Sequence, residues 1–229
     1  MGGGALAGRS LSDVTAAMPV RPGSIGIMGG TFDPIHRGHL AIAAHVQAVL
    51  GLERILFIPA ARPPHKPLGS VSRVEDRVAM VRLAIADRPG FELSLIEVER
   101  PGPSYTADTV TELAAHERAA GRTPDLTLIL SDETFRDLPG WHEPERLLAA
   151  CRIAVVQRPG YAAPDRSWLA AQAPGAADRV DFLEGPRLDI SSTSIRKLVA
   201  QGRSIRGLVP PAVERYVAEH HLYRRTSTP

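Results

Sequence analysis

His36 and His39 stand three residues apart in the segment Met28-Gly29-Gly30-Thr31-Phe32-Asp33-Pro34-Ile35-His36-Arg37-Gly38-His39. At the start of a helix, that spacing puts both imidazoles on one face, where they can meet one phosphate group. Gly29 and Gly30 let the main chain approach a ligand closely, and Asp33-Pro34 sets a bend between them and the histidines. Ser24–Met28 before the segment reads as a buried strand, and Leu40–Leu50 after it as a helix with an apolar face. Helix N-termini attract anions, so a strand-to-helix turn of this composition suits phosphate. A surface helix-capping turn is one alternative and a zinc site another. The other histidines (His45, His65, His116, His142, His220, His221) show no ligand spacing to complete a zinc site, apart from the adjacent pair near the C-terminus.

A second constellation lies at Ile190-Ser191-Ser192-Thr193-Ser194-Ile195-Arg196. Ser192 and Thr193 at a helix start offer hydroxyls and free N–H groups to phosphate. Arg196, one turn later, can fork onto phosphate oxygens. Alone, this is an ordinary Ser-capped helix; beside the histidine turn it becomes a second phosphate-binding element.

The elements that must position these residues alternate along the chain. Arg54–Pro59 is a continuous apolar run, as in a buried parallel strand. Pro59 to Pro67 holds four prolines and forms an extended loop. Ser72-Arg73-Val74-Glu75 fits a capping box, opening a helix that ends near Pro89-Gly90. Phe91–Val98 alternates like a strand with one exposed face. A helix follows from Thr106 to Ala120, then a buried strand at Leu126–Leu130. Glu143–Ala150 is a short helix, Ile153–Gln157 a strand, and Asp165–Ala171 a candidate helix. Val180–Leu183 is a short strand, Ser192–Gln201 a helix stopped by Gly202, and Pro211–His220 a helix with proline in its first turn. This alternation implies an α/β fold, a Rossmann-like doubly wound parallel sheet in a single domain with a small C-terminal helical part. The expected organisation is a flexible N-terminal extension over 1–23, a domain over 24–223 and a tail over 224–229, with Met18 an alternative start.

Composition narrows the function classes. A chain of 229 residues with 44% hydrophobic and 23% charged residues can bury a sizeable core. The net charge of +2, with both signs interspersed, argues against a dedicated nucleic-acid surface. The single cysteine, Cys151, excludes an internal disulfide and a thiolate metal cluster; within its apolar run it reads as inert. No window of about 18 apolar residues predicts a membrane span, and the first residues lack the apolar stretch of a signal peptide. A cytoplasmic protein, not bound to a membrane, is the expectation.

Gly-Gly-Thr-Phe-Asp-Pro-Ile-His-Arg-Gly-His resembles the signature of the nucleotidylyltransferase superfamily, and Ile190–Arg196 resembles its second signature. Three further segments resemble the bacterial nicotinate-nucleotide adenylyltransferase family within it: Pro63-Pro64-His65-Lys66, Pro103-Ser104-Tyr105-Thr106 and Arg158-Pro159-Gly160-Tyr161. The resemblance runs from about Ile25 to Tyr223. It implies transfer of AMP from ATP to nicotinate mononucleotide, giving deamido-NAD and pyrophosphate. It implies Gly29, Gly30, Thr31, Phe32, His36, His39, Ser192, Thr193 and Arg196 as the ATP site, with His36, His39 and Arg196 stabilising the transferring group. Asp33, Lys66, Thr106, Trp141, His142 and Arg158 would bind the mononucleotide. Where the family has Gly-x-Asp in contact with ribose, this chain has Ser131-Asp132-Glu133. Mg²⁺ is expected on the triphosphate, held mainly by phosphates and water, with no protein metal site.

The residues present suit that chemistry. There is no Ser-His-Asp or Cys-His set, and direct nucleotidyl transfer needs none. A phosphate monoester oxygen is already ionised at neutral pH, and pyrophosphate leaves well once its charge is neutralised. Positioning and electrostatic stabilisation of an in-line displacement then suffice. Alternative readings are an enzyme preferring nicotinamide mononucleotide or using both acceptors, or a non-catalytic nucleotide-binding regulatory protein. A homo-oligomer is compatible with the sequence but not indicated by it.

Overall fold

Six strands, β1 (Arg21–Gly30), β2 (Leu52–Pro59), β3 (Phe91–Leu93), β4 (Asp125–Ser131), β5 (Arg152–Gln157) and β6 (Val180–Glu184), form one sheet in the order β3-β2-β1-β4-β5-β6. Every pairing is parallel. The computed structural model describes residues 18–64, 66, 67, 69–157, 176–186 and 188–224. The strand order reverses between β1 and β4, which makes a crevice at the C-terminal edge of the sheet. The expected helix at 165–171 and the Arg158–Tyr161 turn lie outside the described residues.

Alternating side chains of the central strands feed two apolar layers. Ile25 and Ile27 of β1, Leu128 and Leu130 of β4, and Ile153 and Val155 of β5 pack on one face with Val110 and Leu147. These last two lie on α4 (Thr106–Ala119) and α6 (Pro144–Ala150). Met28, Ile129, Ala154 and Val156 face the other layer, with Leu40, Ala43, Val46, Met80, Ile195 and Val213. That layer is built by α1 (Arg37–Leu50), α2 (Val74–Ile85), α7 (Ser192–Ala200) and α8 (Pro211–Glu219). Each fully buried Leu, Ile or Val contributes about 1.5–3 kcal/mol relative to exposure, so covering both faces explains the near-continuous apolar strands. Among the described residues no helix is long and apolar enough to cross a membrane. Cys151 is buried, and burial pushes its thiol up to about 12.

Three local expectations change. Phe91–Val98 is not one strand: β3 stops at Leu93, and a one-turn helix, α3 (Ile96–Glu99), follows. The Ser94 amide donates to Phe57 O (3.0 Å) and ends the ladder. Ile96 and Glu97 are therefore both turned inward, where a strand would have sent one of them to solvent. Ser72 forms no capping box. The cap position of α2 is Arg73, without a side-chain cap bond. The Ser72 amide donates to Asp33 Oδ2 (3.2 Å) and its carbonyl accepts from Arg77 Nε (3.0 Å). Finally, Ser131-Asp132-Glu133 opens a helix, α5 (Asp132–Asp137), with the Ser131 hydroxyl accepting from the Thr134 amide (3.2 Å). A serine followed by two acidic residues is a helix N-terminal signature, since both favour the free amides and positive dipole end there.

Candidate active site

A cavity of about 900 Å³ opens where β1, β4 and β5 end. It lies at the upper end of the ~300–1,000 Å³ typical of small-molecule sites. Gly29, Gly30, Thr31, His36, His39 and Ser192 line one part of it. Ser104, Tyr105, Thr106, Thr109, Trp141 and His142 line another, with Glu97 among them and Ser131 at the end of β4.

His36 caps α1, its backbone extended at φ −142° and ψ 171°, and its amide donates to His39 Nδ1 (3.3 Å). With Nδ1 accepting, the neutral His39 ring carries its proton on Nε2. The rings stack with centroids 3.7 Å apart and planes 22° apart. Burial, and secondarily the neighbouring His36, hold the His39 imidazole well below the usual histidine value. It is therefore a neutral hydrogen-bond donor at neutral pH. Gly38 makes the stack sterically feasible, because a Cβ there would come within 3.0 Å of His36 Nδ1. A Cβ on Gly29, by contrast, would meet nothing within 4 Å. That leaves room for a ligand beside the main chain.

Phe32 does not line the cavity. It is buried beneath His39, edge to face with centroids 5.1 Å apart. Its φ of 49° is costly for a bulky residue, on the order of 1–3 kcal/mol, and the packing against His39 and Phe57 holds it there.

Asp33 is also behind the wall. The residue is 3% exposed, and its carboxylate accepts from the Tyr223 hydroxyl at Oδ1 (2.7 Å) and the Ser72 amide at Oδ2 (3.2 Å). Its carbonyl accepts from Arg196 Nη1 (2.7 Å), and the Pro34 carbonyl accepts from the Ser192 hydroxyl (2.9 Å). The start of α7 is thus docked directly onto the Asp33-Pro34 bend. Arg196 reaches Thr193 Oγ1 (3.4 Å) with its other terminal nitrogen; neither residue lines the cavity. Lys66 is exposed on the loop and away from the lining. Asp132 and Glu133 likewise face away from it, leaving Ser131 as the one member of that trio at the wall. Arg158 lies outside the described residues.

Among the other expected residues, Thr106 begins α4 with its amide end toward the cavity. Trp141 is partly buried on the core. The His142 ring lies 4.2 Å from the Tyr105 ring, and its Nε2 is 3.2 Å from Glu143 Oε2. Residues that sequence reasoning missed are Glu97 and Thr109 in the wall, and Arg77, Ser72 and Tyr223 behind it, whereas Ser104 belongs to the Ser-Tyr-Thr segment already singled out. Thr109 had a signal, being three residues from Thr106 on the same helix face. Glu97 was hidden by the mistaken strand, and Tyr223 has no local signal at all. Among the described residues no group of three or more His, Cys, Asp or Glu side chains is placed to hold a metal ion.

A doubly wound sheet with its crevice at the strand reversal, lined by a glycine turn, stacked histidines and a docked helix N-terminus, defines a nucleotide-binding transferase of the cytidylyltransferase type. Residues 27–198 match the Cytidylyltransferase-like family profile. The chain is 52% identical over 200 residues to a probable nicotinate-nucleotide adenylyltransferase of Roseiflexus sp. (strain RS-1), covering 87% of this chain and 98% of that one. A protein of the same name from Symbiobacterium thermophilum is 44% identical over 204 residues, covering 88% and 95%. The chain belongs to the nicotinate-nucleotide adenylyltransferase family. Its fold is similar to that of the Plasmodium falciparum nicotinic acid mononucleotide adenylyltransferase complexed with NaAD, at a TM-score of 0.70 and 18% identity, covering 87% of this chain and 97% of that one.

Proposed function

We infer that this chain transfers the adenylyl group of ATP to nicotinate mononucleotide, releasing pyrophosphate and forming deamido-NAD, a step of NAD biosynthesis. The observation that carries the reading is that one cavity joins two different ends. A phosphate-suited end holds Gly29, Gly30, His36, His39 and Ser192. The other end combines an aromatic side chain, Trp141, with the amide end of α4.

At the first end, MgATP is the substrate, its cation held through phosphate oxygens and water. The main chain at Gly29 and Gly30 and the Nε2–H of His39 are hydrogen-bond donors for the triphosphate. Arg196 and Thr193 act from behind by holding the bend and the helix start in register. At the second end, Trp141 offers a face to the pyridine ring, and the first amides of α4 suit its carboxylate. His142 stands in the wall beside the mononucleotide in this reading, and Lys66 and Arg158 are kept as mononucleotide contacts on the family resemblance alone. Asp33 serves the site by shaping the turn, and Ser131 stands nearest the ribose. The acceptor phosphate oxygen attacks the α-phosphorus in line, and the P–O bond to pyrophosphate breaks. No side chain needs to remove a proton from the nucleophile.

The test is pyrophosphate release from MgATP with nicotinate or nicotinamide mononucleotide. Release with the nicotinate form, at higher kcat/KM than with the amide, is expected. Tight ATP binding without release from either acceptor would overturn the reading.

A further inference from the structure

The acceptor part of the cavity contains a buried carboxylate that the transfer chemistry does not use. Glu97 lines the cavity and is 7% exposed. The Thr109 hydroxyl donates to its Oε1 (2.7 Å), and the Ser104 hydroxyl is a second donor. Each hydroxyl also accepts a bond from another group, and Thr109 Oγ1 lies 3.2 Å from the Tyr105 carbonyl as well. Thr109 Oγ1 accepts from Arg100 Nη2 (2.9 Å), and Ser104 Oγ accepts from the Arg62 amide (3.1 Å). Both hydroxyls and the nearby Arg100 favour the ionised form of Glu97 over the neutral acid.

The charge around it does not balance. Arg100 is the cation of this cluster, but its Nη1 pairs with Glu112 Oε2 (3.1 Å). Glu97, Arg100 and Glu112 together carry one excess negative charge. From the rest of the cavity wall, Asp137 adds a further acid and His142 is turned to Glu143. Burial pushes the Glu97 carboxyl up, against the pull of Thr109, Ser104 and Arg100. A buried anion with no full counter-charge is expensive unless a ligand supplies one.

Resting on the acceptor reading above, we propose that the Glu97 carboxylate is the counter-ion of the acceptor's pyridinium ring. A pyridine joined to ribose through nitrogen carries a fixed positive charge, whether its substituent is a carboxylate or an amide. Glu97 therefore selects for the N-linked pyridine nucleotide as a class, while the α4 amides deal with the substituent. Thr109 and Arg100 hold the carboxylate in place, and Glu112 sets how much of the Arg100 charge Glu97 feels.

The test compares nicotinate mononucleotide with its neutral isostere, in which carbon replaces the ring nitrogen at the ribose linkage and an uncharged pyridine nitrogen sits elsewhere in the ring. Dissociation constants at pH 7.5 are measured for both, with the KM for ATP as internal control. The wild type should prefer the charged ring by roughly tenfold, as expected for one added charge pair in a partly desolvated site. Glu97→Gln should reduce that preference to about twofold or less. Equal weakening of both ligands in Glu97→Gln would mean a merely structural role and would overturn the proposal. Should Glu97→Gln fail to fold, Glu112→Gln decides, because Glu112 lies outside the cavity. It frees Arg100 for Glu97 and should lower the preference two- to threefold; an unchanged preference there overturns the proposal. Absence of pyrophosphate release by the wild type with nicotinate mononucleotide would identify the acceptor reading as the failed premise.

Discussion

The Tyr223 hydroxyl donates to Asp33 Oδ1 at 2.7 Å, tying the last described turn of the chain to the bend that precedes the histidines. Burial, and then the Asp33 charge, push the Tyr223 hydroxyl far up, so it remains a donor throughout the physiological range. The Asp33 carboxylate also accepts from the backbone amide of Ser72, at Oδ2 (3.2 Å). Tyr223→Phe therefore leaves a buried carboxylate oxygen without its donor. The expected loss is about 1.5–3 kcal/mol, read as the denaturant midpoint at constant m. Because the Asp33 carbonyl also anchors Arg196, the variant should raise the KM for ATP more than that for the mononucleotide. Equal stability of the two proteins would refute this role.

Arg77 makes a different kind of tie. Its side chain is 1% exposed, and it donates to the carbonyls of Thr31 (2.8 Å), Ala60 (2.7 Å) and Ser72 (3.0 Å). One guanidinium thereby joins the glycine turn, the start of the proline loop and the entry to α2. A lysine has a single nitrogen and cannot span three segments. Arg77→Lys should cost on the order of 3 kcal/mol, since at least two buried carbonyls lose their donor. Thermal unfolding would show it, and a variant within ~0.5 kcal/mol of wild type would mean that water replaces the guanidinium.

These ties explain which parts of the molecule the sequence revealed. The parallel sheet was legible because Ile25–Met28, Ile55–Pro59 and Leu126–Leu130 are almost wholly apolar, with Thr127 the one polar residue, as in strands covered on both faces. The histidine turn was legible because glycine, Asp-Pro and two histidines fall within a dozen adjacent residues. Glu97 was not, because the two-residue alternation of Phe91–Val98 has the same local pattern as a strand leading into a single helical turn. Asp33 was read as a ligand contact, although its carboxylate is consumed by Tyr223, 190 residues away in sequence. Partners so distant leave no local trace.

Ser131 allows a sharper test of the substituted trio. Its hydroxyl accepts from the Thr134 amide and lies 2.8 Å from Thr134 Oγ1, capping α5 at the cavity wall. Ser131→Ala should cost about 1 kcal/mol and Ser131→Gly only a few tenths. If the ribose approaches here, Ser131→Gly should also lower the KM for ATP or the mononucleotide. Identical stability losses in the two variants would argue against the capping role.

His39 is expected to matter in the transition state more than in binding. His39 lines the cavity, its Nδ1 accepting from the His36 amide and its ring held by Phe32, which leaves Nε2–H as its donor. His39→Ala should lower kcat by about 10²–10³, with a smaller change in the KM for ATP. A kcat within a factor of two of wild type, in steady-state pyrophosphate release, would rule out such a role.

The same residue should make the unliganded protein sensitive to acid. A histidine in the unfolded chain titrates near 6.5, whereas burial and His36 keep folded His39 neutral well below that value. Between the two values the unfolded chain binds more protons than the folded one, so stability falls as pH drops below about 6.5 and is indifferent to His39 above it. Glutamine cannot take up that proton. The melting temperature of His39→Gln relative to wild type should therefore rise as pH is lowered from about 7.5 to 5.5. MgATP should reduce the acid loss of the wild type, because a nearby phosphate favours the protonated ring and brings the folded value back toward 6.5. A difference between variant and wild type that stays constant across this range would show that His39 is not held neutral by the fold.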